Sequence, residues 1–340
     1  MNIMELVSKA DLLDYSQNLN ITRNYLGDTL FPDIKTQHMK AEFYRLSDPL
    51  MLPTMAQVHA LDTETHIGQR PTLEKVKLEK MFIKEQINQS ERLQLWLEEG
   101  VTDANTITQY IFDDVSRLTE SVKTRTEVMK MEAICTGKIT VDENGAKFSI
   151  DYQVPANNKK TFSWSSKTAD IIGDIQNLVD SAKAAGQTIT TMVTSTKTIS
   201  YMRQNEGIQT AIYSALGKGT YVSNTLLNQL VSDMFGISIV VQDEFYRYED
   251  AKGVLKSKRY FDENKAVFLS TLANGTLGNG LWGTTPEELA NGPWTSKNQT
   301  QFITAVMYEK PDPVSVWTKA AGMFVPVLAN PNGLFIGTVS

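Results

Sequence analysis

Apolar residues recur at Ile107, Ile111, Val115, Leu118, Val122 and Met129 within a stretch, Thr102 to Cys135, that holds neither Gly nor Pro. Steps of mostly four and three line one side of an α-helix. Thr102 and Asp103 offer N-cap oxygens, and Gly137 offers a left-handed stop. Such a helix is roughly 50 Å long, where ordinary helices average about 11–12 residues. A single apolar seam on so long a rod predicts a strut laid across an extended subunit.

Around the strut the pattern changes several times. Residues 1–48 predict an arm rather than a domain: a short amphipathic helix at Ser8–Leu19, an apolar punctuated stretch from Tyr25 to Pro32, and a strand at Lys40–Leu46. Residues 49–95 write as two long strands, Thr54–Leu61 and Leu73–Ile87, with a polar loop from Asp62 to Arg70 between them. A lone two-stranded ribbon is marginal in water, so it calls for a neighbouring molecule. Beyond the strut, Glu143-Asn144-Gly145 joins Lys138–Asp142 to Ala146–Tyr152 as a hairpin. The chain then alternates: helix at Ala169–Ala185, strand at Thr188–Thr194, helices at Thr196–Gln204 and Asn224–Phe235, and a buried strand at Ile237–Gln242. A Lys-rich turn at Lys252–Arg259 and a strand at Ala266–Leu272 follow. This is the signature of a sheet with helices on its faces. Thr300–Tyr308, Met323–Leu328 and Gly333–Val339 read as strands returning to earlier sheets.

Composition narrows the function classes. The chain has 340 residues, 41% hydrophobic and 21% charged, enough for two or more lobes of an ordinary soluble protein. A net charge of −6 argues against a strongly basic nucleic-acid binder. The single cysteine, Cys135, allows no internal disulfide and reads as a small buried hydrophobe. No apolar run approaches the ~18 residues of a membrane span. The N-terminus lacks the pattern of a signal peptide, so a cytoplasmic site of synthesis and use is expected.

Candidate chemistry is sparse. Gly278-Asn279-Gly280-Leu281-Trp282-Gly283 matches the dinucleotide pattern G-x-G-x-x-G. However, Trp282 sits inside the would-be turn and only a one-turn helix, Pro286–Ala290, follows, so a glycine-rich connecting loop is expected. His38, His59 and His66 have no partners at metal-site spacing. There is no G-x-S-x-G elbow and no phosphate loop. Asp113–Asp114 and Glu98–Glu99 read as solvated acids, and Lys256-Ser257-Lys258-Arg259 as a surface turn. The expectation is a protein that is not an enzyme and carries no cofactor or metal.

Taken in order, several blocks resemble the family of phage lambda's major head protein, major capsid protein E. They are Tyr25-Leu26 through Leu30-Phe31-Pro32 before the Lys40–Leu46 strand, then Ile67–Arg70. Glu127–Gly137 followed by Lys138-Ile139-Thr140 comes next, then Phe261-Asp262-Glu263-Asn264 before Val267–Leu272 and the glycine run. The last is Met323-Phe324-Val325-Pro326-Val327-Leu328 with Asn330-Pro331-Asn332. The resemblance implies an α+β, Hong Kong 97-like phage capsid fold. Its expected parts are an N-terminal arm (1–48), an extended loop (49–95), and a peripheral domain (96–165) with a spine helix at 102–135. An axial domain (166–299), a return segment to the peripheral domain (300–322) and C-terminal axial strands (323–340) complete it.

The implied function is a major capsid protein of a tailed double-stranded DNA bacteriophage. It would self-assemble into pentamers and hexamers of an icosahedral shell that encloses the genome without sequence-specific binding. The implied partners are further copies of the chain, a scaffold, a portal and a decoration protein, with no membrane. The implied location is the virion, after assembly in the host bacterial cytoplasm. Leu30, Phe31 and Phe43 are the expected arm-docking residues, and His66 and Arg70 the expected contacts at the loop tip. The alternatives are an encapsulin-type bacterial compartment and, from another class, a nucleotide-dependent enzyme using Gly278–Gly283.

Overall fold

The structure, a computed structural model, describes residues 23–38, 40–46, 55, 73–89, 104–143, 145–214, 220–250, 252–272, 274–289, 296–300, 302–312 and 314–340. In chain order come helix α1 (Leu26–Leu30), strands β1 (Asp33–Lys35), β2 (Lys40–Leu46), β3 (Leu73–Glu79) and β4 (Met81–Gln89), and helix α2 (Ala104–Thr136). Strands β5 (Lys138–Glu143), β6 (Ala146–Asp151) and β7 (Lys159–Phe162) precede helix α3 (Ile171–Ala184), strand β8 (Thr191–Thr194), and helices α4 (Thr196–Gln204), α5 (Glu206–Tyr213) and α6 (Asn224–Phe235). Then follow β9 (Ser238–Val241), β10 (Phe245–Glu249), β11 (Leu255–Arg259), β12 (Lys265–Leu269), β13 (Gly278–Gly283) and helix α7 (Pro286–Leu289). Strands β14 (Ser296–Thr300), β15 (Ile303–Pro311), β16 (Val314–Leu328) and β17 (Leu334–Val339) complete the chain.

The predicted long helix is there: α2 runs for 33 residues, about 50 Å, and Gly137 ends it in the left-handed region at φ 73°. Val115, Leu118, Val122 and Met129 are buried along its seam. Of the acid pair on it, Asp113 is exposed as expected but Asp114 is buried. Glu98–Glu99, the helix at Ser8–Leu19 and the strand at Thr54–Leu61 lie outside the described residues.

Two compact units emerge, each with its own sheet. The first draws on the described parts of 1–41, 78–130 and 279–327. Its six-stranded sheet runs β1-β13-β16-β15-β14, with β4 also paired to β16. β1 lies parallel to β13, with Asp33 opposite Gly280 and Lys35 opposite Trp282. β16 pairs antiparallel with both β15 and β4, from Val316 opposite Gln89 to Phe324 opposite Met81 on the β4 side. The helix lies close on this sheet at Gly322, where an added Cβ would stand 3.1 Å from Val122 Cγ1 and 2.8 Å from Trp282 Cζ3.

The dinucleotide-like glycines are neither a phosphate turn nor the expected connecting loop; they form strand β13. The physical reason is close approach. A Cβ at Gly280 would meet Asp33 Oδ1 at 2.6 Å and a Phe324 ring carbon at 2.9 Å, and one at Gly283 would meet Lys80 Cδ at 2.9 Å. Trp282 between them is fully buried, its ring 5.0 Å from that of Phe324. The ribbon is also rearranged. The stretch expected as one strand breaks at Lys80; β3 pairs with β2 and β4 joins the larger sheet.

The second unit draws on the described parts of 42–77, 131–278 and 328–340. Its five-stranded sheet runs β7-β17-β12-β8-β9, with β12 antiparallel to β17 and β8, and β7 and β9 parallel to their neighbours. Helices α3, α4, α5 and α6 supply Ile171, Ile175, Ile199, Met202, Ile208 and Leu227 to one core with Met192 and Phe268 of the sheet. Each helix start has its cap: Asp170 accepts from Gly173 N, Ser195 from Thr198 N, Asn205 from Ile208 N and Ser223 from Leu226 N. The hairpin β5–β6 forms as expected, with Gly145 at φ 80°. Two expectations fail. The strand at Ile237–Gln242 shortens to β9, a half-exposed sheet edge rather than a buried strand. Lys256, Ser257, Lys258 and Arg259 form β11, paired residue for residue with β10, instead of a turn.

Candidate assembly elements

In the first unit, the segment 25–38 is tied down by charge as much as by apolar packing. Lys130, on the inner side of α2, has no exposed surface. Its Nζ donates to Asp28 Oδ1 at 2.6 Å and Asp33 Oδ1 at 3.1 Å, and stands 5.4 Å from the centre of the Phe324 ring. Two turns away, Lys123 Nζ reaches Asp33 Oδ2 at 3.2 Å. Between the two lysines, Glu127 Oε1 accepts from Gly27 N at 3.0 Å. Buried charges cost several kcal/mol each unless paired, so this cluster holds only while both sides are present. Gly27 is required by the crowding: a Cβ there would meet Glu127 Oε2 at 2.2 Å and Lys130 Cδ at 2.7 Å.

A second anchor sits at the break between β3 and β4. Lys80 is 5% exposed, and its three ammonium protons meet three oxygens: Thr36 Oγ1 at 2.5 Å, His38 O at 2.5 Å and Trp282 O at 3.3 Å. All three acceptors are neutral, and burial pushes the Lys80 pKa below its ordinary value. The stem passes over Gly283, which explains why that position has no side chain. The amine therefore fixes residues 36–38, just ahead of β2, to the start of β4 and to β13. At the far side, Lys35 pairs with Glu288 at 2.5 Å, and Lys319 pairs with the buried Glu287.

Of the residues named from the sequence, Leu30 and Phe31 end α1 and are buried within their own unit, Phe31 with no exposed surface. Phe43 lies in β2, with its side chain outside the described residues, and His66 and Arg70 lie outside them altogether. The residues missed were Gly27, Asp28, Asp33, Lys80, Lys123, Glu127 and Lys130. One signal was available: Lys123, Glu127 and Lys130 repeat at four and three on the same side of the helix as Val122 and Met129. Charges on an apolar seam need buried partners. Nothing in the sequence marks Lys80.

Among the described residues there is no cluster of His, Cys, Asp or Glu able to hold a metal, and no helix long and apolar enough to cross a membrane. Cys135 is buried, and burial pushes its thiol up to about 12, so it is inert packing. Among the described residues, most exposed large hydrophobic side chains fall in one run of the second unit, 221–255.

Known structures share the architecture. A protein described as a capsid protein of a prophage of E. coli CFT073 superposes with a TM-score of 0.62 at 16% identity, covering 98% of this chain and 99% of its own. A phage-related protein from Bordetella bronchiseptica RB50 gives 0.56 at 9% identity, covering 96% and 95%. The mature capsid of bacteriophage PhiM1 gives 0.51 at 10% identity, covering 94% and 89%. At these identities the likeness concerns the fold alone, the mixed helix-and-sheet, Hong Kong 97-like capsid fold. No curated protein matches the sequence. The sequence pattern of phage major capsid protein E matches residues 8–339, so the chain belongs to the phage major capsid protein E family.

Proposed function

We propose that this capsid subunit builds pentamers and hexamers that tile the icosahedral head of a tailed phage around double-stranded DNA. The observation that carries the reading is the family match across residues 8–339. The mechanism is polyvalent. Each contact of about 800 Å² per partner is modest, and closed symmetry multiplies it. No bond is made or broken, so the protein works as a structural element without catalysis. A net charge of −6 suits a container that must not grip its cargo.

In this reading residues 1–48 are the arm, 49–95 the loop over a neighbour, 96–165 with 300–322 the peripheral domain, and 166–299 with 323–340 the axial domain. Phe43, His66 and Arg70 meet neighbouring subunits. Leu30 and Phe31, buried in their own unit, act by seating the arm. Scaffold, portal and decoration proteins are its partners, and assembly takes place in the host bacterial cytoplasm. The test is the content of particles purified from cells that co-express the neighbouring phage genes. Nuclease-protected double-stranded DNA supports the reading; particles filled with a protein cargo and free of DNA would replace it with an enzyme compartment.

A further inference from the structure

Lys130 and Asp33 are placed for more than an ion pair. Lys130 has no exposed surface, and its Nζ stands 3.1 Å from Asp33 Oδ1 with the fully buried Phe324 ring beside it. Asp33 is hemmed in from two further sides. On β1 it lies opposite Gly280, where an added Cβ would meet Oδ1 at 2.6 Å. Its other oxygen, Oδ2, accepts from Lys123 Nζ at 3.2 Å. A second buried carboxyl, that of Glu127, shares the space over Gly27 with the Lys130 stem, because a Cβ there would touch Glu127 Oε2 and Lys130 Cδ together.

Burial changes what these groups can do. In bulk water an ammonium and a carboxylate stay ionised, since solvation favours both. Inside a protein each charge carries a desolvation cost that the pair offsets only in part. Condensation removes both charges at once, giving a neutral amide and one water from the ion pair alone. The amine and the carboxyl are already in contact, so the step is unimolecular and little orientation remains to be found.

We infer that Lys130 and Asp33 condense to an isopeptide bond within the chain. Lys130 passes one proton to Asp33 Oδ1, which turns the pair into an amine and a carboxylic acid. Nζ attacks Asp33 Cγ, and the charge that develops on Oδ2 lies against the Lys123 ammonium. Glu127 takes a second proton from the nitrogen and delivers it to Oδ1, which leaves as water. One C–N bond forms and one C–O bond breaks, while Oδ2 stays as the amide oxygen. The net charge of the cluster is unchanged, because one cation and one anion disappear together. Asp28 Oδ1, 2.6 Å from the same amine, is the competing carboxyl. Its side chain is 36% exposed against 14% for Asp33, so Asp28 keeps the solvation that favours an ion pair. The bond joins positions 97 residues apart and fixes β1 to the long helix α2. It lies inside one subunit and adds to the capsid reading, in which contacts between copies stay non-covalent.

The test is the intact mass of the full-length protein, held folded and then denatured, with a protease digest to locate any change. The expected wild type is lighter than its sequence mass by one water and yields a branched peptide joining Lys130 to Asp33. Lys130→Met and Asp33→Ala should keep the full mass, and Asp28→Ala should still lose the water. Glu127→Gln should keep the full mass while circular dichroism shows the wild-type fold. If Glu127→Gln does not fold, Lys123→Met replaces it and should form the bond at least tenfold more slowly. A wild type that holds its full sequence mass after prolonged incubation overturns the inference. A branch through Asp28 overturns it too, as does a water loss that persists in Lys130→Met and so arises elsewhere. Each of these results concerns single chains and leaves the capsid reading standing.

Discussion

Single atoms decide the packing at Gly27. A methyl group there would have to displace both Glu127 and Lys130, the two groups that hold α1 on the long helix. Gly27→Ala should therefore cost about 1–3 kcal/mol, read as a lower urea midpoint. Lys80 presents a different case. Its pKa is depressed by burial, so between the folded and unfolded values the unfolded chain binds more protons. Its contribution to stability is a penalty that is full at neutral pH and relieved as pH rises toward the ordinary lysine value of about 10.4. Stability of the wild type relative to Lys80→Met should thus increase across the alkaline range, and a pH-independent difference would contradict the assignment. Cys135, with its thiol pushed up to about 12, should resist an aromatic disulfide reagent in the folded protein and react only with unfolding.

At the scale of elements, α2 is the part that sequence periodicity declares most plainly, because its seam and its glycine stop are local signals. Its purpose is less visible. Lys123, Glu127 and Lys130 read as interruptions of the seam until Asp28, Asp33 and Gly27 are brought to them from about a hundred residues away. Lys130→Met should leave Asp28 and Asp33 underpaired and cost about 3 kcal/mol. Limited proteolysis should then cut first within 23–38, whereas cutting elsewhere first would deny the anchor. The misread elements have different causes, and at the glycine run it is tertiary context overriding local pattern. Gly278–Gly283 looks like a turn until Phe324 and Lys80 occupy the space that side chains would need. α5 was hidden because Asn205 ends one helix and caps the next, so no break in polarity separates them. The Lys-rich β11 looked like a turn because its alternation of Leu255, Ser257 and Arg259 is mostly exposed on both sides.

For the whole molecule, the order of blocks along the chain carried the family. Leu30 and Phe31, expected as arm-docking residues, are buried inside their own unit. Phe31→Asp should accordingly unfold the first unit rather than yield a soluble, assembly-deficient subunit, visible as loss of the cooperative melt. The measurement that bears most directly on the account is negative-stain electron microscopy with sedimentation, on the protein expressed alone and again with its neighbouring phage genes. Closed icosahedral particles, or rings of five and six subunits, are the predicted result. A monodisperse small oligomer under both conditions would contradict it.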